Sequence, residues 1–128
     1  MIRDADRITH MLNAISDAKE SIAGMTEEQF LANKDKRVAA ERYILIVGEA
    51  SHMVSQELKD RHHEVPWQDI RAMRNIVAHE YMDVDYTEVW QAVSKDFDEL
   101  RKLVEPIQEE LAVTGAPPRS CVFSTSAH

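Results

Sequence analysis

Tyr43-Ile44-Leu45-Ile46-Val47-Gly48-Glu49 lies in the middle of a helical run that extends from Asp35 to about Leu58. Residues 43–47 are apolar all round the helix, and such a helix is stable only when neighbours cover it on several sides. This stretch therefore predicts a central helix in an all-α core. Gly48 costs about 1 kcal/mol of helix propensity relative to alanine, so its place in the middle of a helix suggests that another helix approaches closely there. Glu49 follows at once, in a segment expected to be buried or nearly so.

The flanking segments supply the partners. Residues 4–24 carry Ile8, Met11, Ile15, Ala18 and Ile22 at spacings of three and four, which paints one face of a packing helix. Gly24 is a C-terminal stop, and Thr26 with Gln29 has the spacing of a capping box that opens a short second helix. His10 sits beside the apolar stripe as a surface residue. Towards the other end, Asp85 is placed to cap a long helix whose apolar residues fall at Trp90, Val93, Phe97, Leu100, Val104, Ile107 and Leu111. That seam is one of helix packing, and Pro106 is expected to bend or break it. Residues 59–66 read as a loop, with Pro66 placing Trp67 at the next helix start. His62, His63 and Glu64 in this loop are metal-ligand residue types, but adjacent histidines project apart and no partner stands at a helical spacing, so a solvated loop is expected.

With three glycines, four prolines and no alternating pattern, the 128 residues read as one all-α domain over 1–113, an up-and-down bundle of about five helices, with a flexible tail over 114–128. The lone Cys121 in that tail has no internal disulfide partner. A charged N-terminus and the lack of a membrane-length apolar run point to a cytoplasmic protein. The net charge of −8 argues against indiscriminate coating of nucleic acid. Residues 34–79, however, hold eight basic side chains against seven acidic ones, so an anion site belongs in the middle of the chain.

The motif Arg71-Ala72-Met73-Arg74-Asn75-Ile76-Val77-Ala78-His79-Glu80-Tyr81 lies there. Arginine presents a planar fork of donors to phosphate, and histidine transfers protons near neutrality. On spacing alone, a salt-bridged surface arginine and a histidine capping a helix C-terminus are the better reading. On an ideal helix spanning 67–81, Ile70, Met73, Val77 and Tyr81 face inward, whereas Arg74 and His79 stand roughly 140° apart. A swept-back arginine, a loosened helix, or two protomers pooling their motifs would each close that gap.

Taken with Gly48-Glu49-Ala50, Val65-Pro66-Trp67, Ile70, Val84-Asp85 and Val89-Trp90, the motif resembles that of the HepT-like toxins of the HEPN superfamily, over residues 4 to 112. The resemblance implies a homodimer in which Arg74 and His79 form a ribonuclease site. It also implies that a partner nucleotidyltransferase antitoxin modifies Tyr81, by AMPylation. Asn75 matches the polar residue that follows the arginine, and with Arg71 it is expected to position phosphate or RNA. Glu49 is then either a solvent-facing acid or one that reaches the His79 region to orient it. Lys59, Arg61 and the loop histidines are candidates to guide RNA towards Arg74. The sequence offers no metal-ligand pattern and no nucleotide-binding glycine loop, so no cofactor is expected. The resulting expectation is a metal-independent endoribonuclease. A competing expectation is a non-catalytic nucleotide-binding or regulatory subunit of a nucleotidyltransferase, which the acidic balance suits.

Overall fold

The computed structural model describes residues 3–78 and 84–115. Helix α1 (Asp4–Ser21) buries Ile8, Met11, Ile15 and Ala18, the stripe set by its spacing. The chain leaves it through Gly24, whose φ of +78° is the left-handed conformation that favours glycine. Thr26 then opens α2 (Glu27–Leu31) with the expected capping box. The Gln29 N–H donates to Thr26 Oγ1 at 3.1 Å, and the Thr26 N–H donates to Gln29 Oε1 at 3.0 Å.

Helix α3 (Lys34–His52) is the centre of the bundle, packed against α1 on one side. Ile44 and Val47 are fully buried, whereas Tyr43, Leu45 and Ile46 are only partly covered. The helix stops six residues short of the expected Leu58, because Ser55 starts a new element. Both the N–H and the hydroxyl of Ser55 donate to the Asp4 carboxylate, at 2.9 and 2.6 Å, and Ser55 Oγ accepts from the Leu58 N–H. Helix α4 (Gln56–Arg61) follows, so Lys59, Asp60 and Arg61, expected in a loop, are helical.

Helix α5 (Trp67–Met73) begins directly after Pro66, as expected, and packs on α3. It is followed by α6 (Asn75–Ala78) and, past the described gap, by α7 (Tyr86–Gln91), capped by Asp85 through the N–H groups of Thr87 and Glu88. A π-helical stretch, Ala92–Asp96, leads without interruption into α8 (Phe97–Gly115), which packs on α1. The described residues contain no strand.

The seam of the last helix holds at Val93, Phe97, Leu100, Val104 and Ile107, all buried, but its regularity does not. The wider π turn brings Val89 into the core, while Trp90 stays partly exposed and packs on Phe30 with ring centroids 5.2 Å apart. Side chains satisfy the irregular backbone here: Lys19 Nζ donates to the Ser94 carbonyl at 2.9 Å, and Ser94 Oγ donates to the Trp90 carbonyl at 2.5 Å. Pro106 does not break α8. The boundary expected after Val113 also falls inside α8, and residues 116–128, Cys121 among them, lie outside the described residues.

Gly48 is where α5 comes closest to α3. A Cβ built on Gly48 would stand 2.8 Å from Arg74 Cβ and 3.6 Å from the Ile70 carbonyl oxygen. Overpacking of this kind costs about 1–3 kcal/mol. Gly48→Val should therefore lower the melting temperature by about 4–15 °C, despite valine's better helix propensity. An unchanged or raised melting temperature in calorimetry would show that the two helices are not in contact at this point.

Candidate functional site

Helix α5 is anchored at both ends. At its start, Trp67 Nε1 donates to the His62 carbonyl at 3.0 Å, and Ile70 turns into the core. At its finish the helix tightens: the Arg74 N–H donates to the Arg71 carbonyl at 3.3 Å, and the Val77 N–H donates to the Arg74 carbonyl at 3.2 Å. These i→i−3 bonds replace the i→i−4 ladder, and the helix restarts at Asn75. The continuous helix over 67–81 is therefore interrupted at Arg74 itself. The angle of an ideal rod does not carry across that break; the loosening expected near His79 lies outside the described residues.

The Arg74 side chain lies along α3. Its Cβ occupies the space that Gly48 leaves free, and its Nη1 donates to Glu49 Oε1. Arg74 is 28% exposed and Glu49 56%. So exposed an ion pair contributes at most about 1 kcal/mol, and parting the two side chains therefore costs little. Glu49 is exposed, and its structural partner is Arg74; the expected reach to His79 falls outside the described residues, as do His79 and Tyr81.

The other expected site residues divide. Arg71 is exposed and lines an open cleft of about 720 Å³ together with Lys59, His63 and His52. Asn75 is exposed at the first position of α6. Val77 is buried and Met73 partly so, as the inward face requires. Arg61 and His62 turn away from the cleft. Arg61 Nη2 donates to Glu110 Oε2 at 2.7 Å, and His62 lies between Glu64 and Glu110, at 3.1 and 3.2 Å. His62 is thus a half-enclosed link between α4 and α8, not a solvated loop residue. The Arg61 hydrogen bond, reinforced by His62, holds the Glu110 carboxyl below the usual carboxylate range. The Glu64 carboxyl is lowered by its own backbone N–H and then by His62. Among the described residues no group of three His, Cys, Asp or Glu is placed to hold a metal ion, and no helix is long and apolar enough to cross a membrane.

The described residues form an all-helical bundle that seats an arginine against a glycine of the central helix, at a helix break. This chain belongs to the HepT-like family, described as ribonuclease HepT-like, which it matches over residues 11–107. A Thermococcus cleftensis protein named probable ribonuclease HepT is 32% identical over 102 residues, 77% of this chain and 93% of its own length. A protein of Caldanaerobacter subterraneus subsp. tengcongensis, provisionally named an RNase, is 31% identical over 103 residues, 80% of this chain and 92% of its own. One from Methanocaldococcus jannaschii, also provisionally named an RNase, is 32% identical over 95 residues, 74% and 87% of the two chains. No solved structure gives a significant match.

The link under the site is sensitive to acid. Because the Glu110 pKa is depressed by folding, its contribution is complete above the ordinary value of 4.5 and is lost as pH falls through the lowered one. Below pH 4.5 the melting temperature of the native protein should fall more steeply than that of Glu110→Gln. Parallel curves would mean that the Arg61–Glu110–His62 link adds nothing to stability.

Proposed function

We propose that the chain is the ribonuclease toxin of a toxin–antitoxin pair, cleaving RNA without a metal at a site formed by Arg74 and His79. What carries this reading is Arg74: seated against Gly48 at the helix break, paired with an exchangeable carboxylate, and five residues before a histidine in a chain of the HepT-like family. A phosphate displaces Glu49 and takes the guanidinium. His79 removes the proton from a ribose 2′-OH, whose oxygen attacks the adjacent phosphorus. The P–O5′ bond breaks, and the leaving oxygen takes a proton from His79 or from water. The products are a 2′,3′-cyclic phosphate and a free 5′-OH. Arg74 neutralises the charge that develops on the phosphoryl oxygens, and Asn75 and Arg71 position the strand. The need for a 2′-OH makes RNA the substrate and spares DNA.

The active form in this reading is a homodimer in which the two motifs face each other across a two-fold axis. Purified Arg74→Ala and His79→Ala proteins should each lose RNA cleavage by 100-fold or more, on the order of what general acid–base groups supply, with helical content unchanged. Mixing the two inactive proteins separates a shared site from two independent ones. If Arg74 of one protomer works with His79 of the other, mixed dimers regain one intact site and about a quarter of wild-type activity returns. No recovery would place both residues in one chain, and full activity in His79→Ala would overturn the catalytic assignment.

Control falls to Tyr81, two residues after His79. AMPylation of its phenol by a nucleotidyltransferase antitoxin puts a phosphodiester beside the arginine that grips RNA, so the adduct both blocks access and competes for Arg74. With a cognate nucleotidyltransferase and ATP, wild type should gain the mass of AMP and lose cleavage, while Tyr81→Phe gains none and stays active. Equal modification of the Phe variant would make Tyr81 a tyrosine of the inward face and no more.

A further inference from the structure

A groove of about 240 Å³ runs between α1 and α3, bounded by Arg7, His10, Arg42, Leu45, Ile46 and Glu49. Arg7 and Arg42 come from different helices, and among the described residues neither makes an ion pair or a side-chain hydrogen bond. The one acid on the groove is Glu49, already engaged by Arg74. The groove therefore carries uncompensated positive charge in a chain whose net charge is −8, and it is bordered by Glu49, the carboxylate that pairs with Arg74. The cleft beside Arg71 is different: Asp60 and Asp69 offset Lys59 and Arg71, and Lys59 Nζ already donates to the His52 carbonyl. The floor of the α1–α3 groove is Leu45 and Ile46, central-helix residues left partly uncovered. Two arginines over an apolar floor match a nucleotide, with phosphate at the rim and the flat face of a base below.

We propose that this groove is a binding track for single-stranded RNA, holding the phosphate next to the one at Arg74. This rests on the ribonuclease reading and adds to it the direction in which the strand leaves the site: along α1 and α3, past Glu49. Arg7 and Arg42 contact the phosphate, and Leu45 with Ile46 supports the adjoining base. His10, at the outer edge, adds charge when protonated.

The track is tested with a fluorescent single-stranded RNA carrying 2′-O-methyl groups, which has no 2′-OH to attack and is bound without being cut. Each phosphate contact to a single strand contributes about 0.7 to the slope of log affinity against log salt. Arg7→Gln/Arg42→Gln, which removes the contact to that one phosphate, should therefore reduce the slope by about 0.7 and weaken binding at least tenfold at low salt. Lys34→Gln/Lys36→Gln removes the same net charge from the start of α3, away from the groove, and should leave the slope unchanged. Melting curves confirm that both variants fold. An unchanged slope in the groove variant overturns the track, as does an equal loss in the lysine variant, which would report net charge alone. A groove variant that dissociates to monomers with its slope intact identifies the groove as a protein contact and also overturns it. Wild type that neither binds the methylated RNA nor cuts the unmodified one fails the ribonuclease reading itself. Wild type that cuts RNA while the groove variant keeps its slope fails only the track.

Discussion

The close approach of α5 to α3 at Gly48 is the constraint from which the geometry of this molecule follows. Only hydrogen at that position lets Arg74 Cβ settle on the central helix. With its root fixed there, the arginine has one nearby acid along α3, Glu49, one residue on from the glycine. The helix that carries Arg74 ends at that same point. A helix that packs so closely on another has little freedom to continue along its own axis, and the i→i−3 bonds at Arg74 are how its backbone stays hydrogen-bonded while the direction changes. Packing, helix break and the seating of Arg74 are thus one feature.

The rest of the bundle keeps α3 and α5 in register by tying its elements together with polar links at their ends. Asp4 of α1 holds the cap of α4 through Ser55. Glu110 of α8 holds the far end of α4 through Arg61 and His62, and the His62 carbonyl in turn holds Trp67 at the head of α5. On the opposite side, Tyr86 donates to Glu41 at 2.5 Å while Arg37 lies over its ring at 4.7 Å, joining α7 to α3. That hydrogen bond to a carboxylate, with some burial, raises the Tyr86 pKa. Each link is individually modest, but each fixes an element end, where backbone groups otherwise lack partners.

Much of this was legible in the sequence, and the parts that were not share a physical cause. The apolar stripe of α1, the capping box at Thr26 and the Pro66–Trp67 start were readable because each depends on residues within a turn or two of one another, and Gly48 because a glycine in mid-helix marks a close approach. The end of α3 at His52 was not, because the apolar pattern continues past it and the cap that restarts the chain is completed by Asp4, 51 residues away. The π turn escaped for a similar reason: Trp90, Val93 and Phe97 fit a regular helix, and Lys19, which satisfies the widened backbone, comes from α1. At Pro106, where a bend or break was expected, the segment stays helical. At the candidate site, Arg74 was singled out only once its spacing was joined to the surrounding motif residues, and Glu49 as its partner is a tertiary fact. So is the convergence of Arg7 and Arg42, which stand 35 positions apart in sequence.

An acidic protein that handles RNA has to solve a problem of contrast, and the structure suggests how. Repulsion from a net charge of −8 weakens every non-specific encounter, and salt screens it over about 10 Å at ordinary ionic strength. A local cluster of arginines within that distance of a phosphate therefore outweighs acids that lie beyond it. Pairing Arg74 with Glu49 sharpens the contrast further. While the site is empty the guanidinium is neutralised and attracts stray anions weakly; a ligand that brings two well-placed oxygens exchanges for the carboxylate at small cost, because an exposed pair is worth so little. A free Glu49 carboxylate then stands next to the bound phosphate and repels it unless other cations lie within reach. Arg7 and Arg42 line the groove that Glu49 borders, which makes an extended polyanion a better displacer of Glu49 than an isolated phosphate.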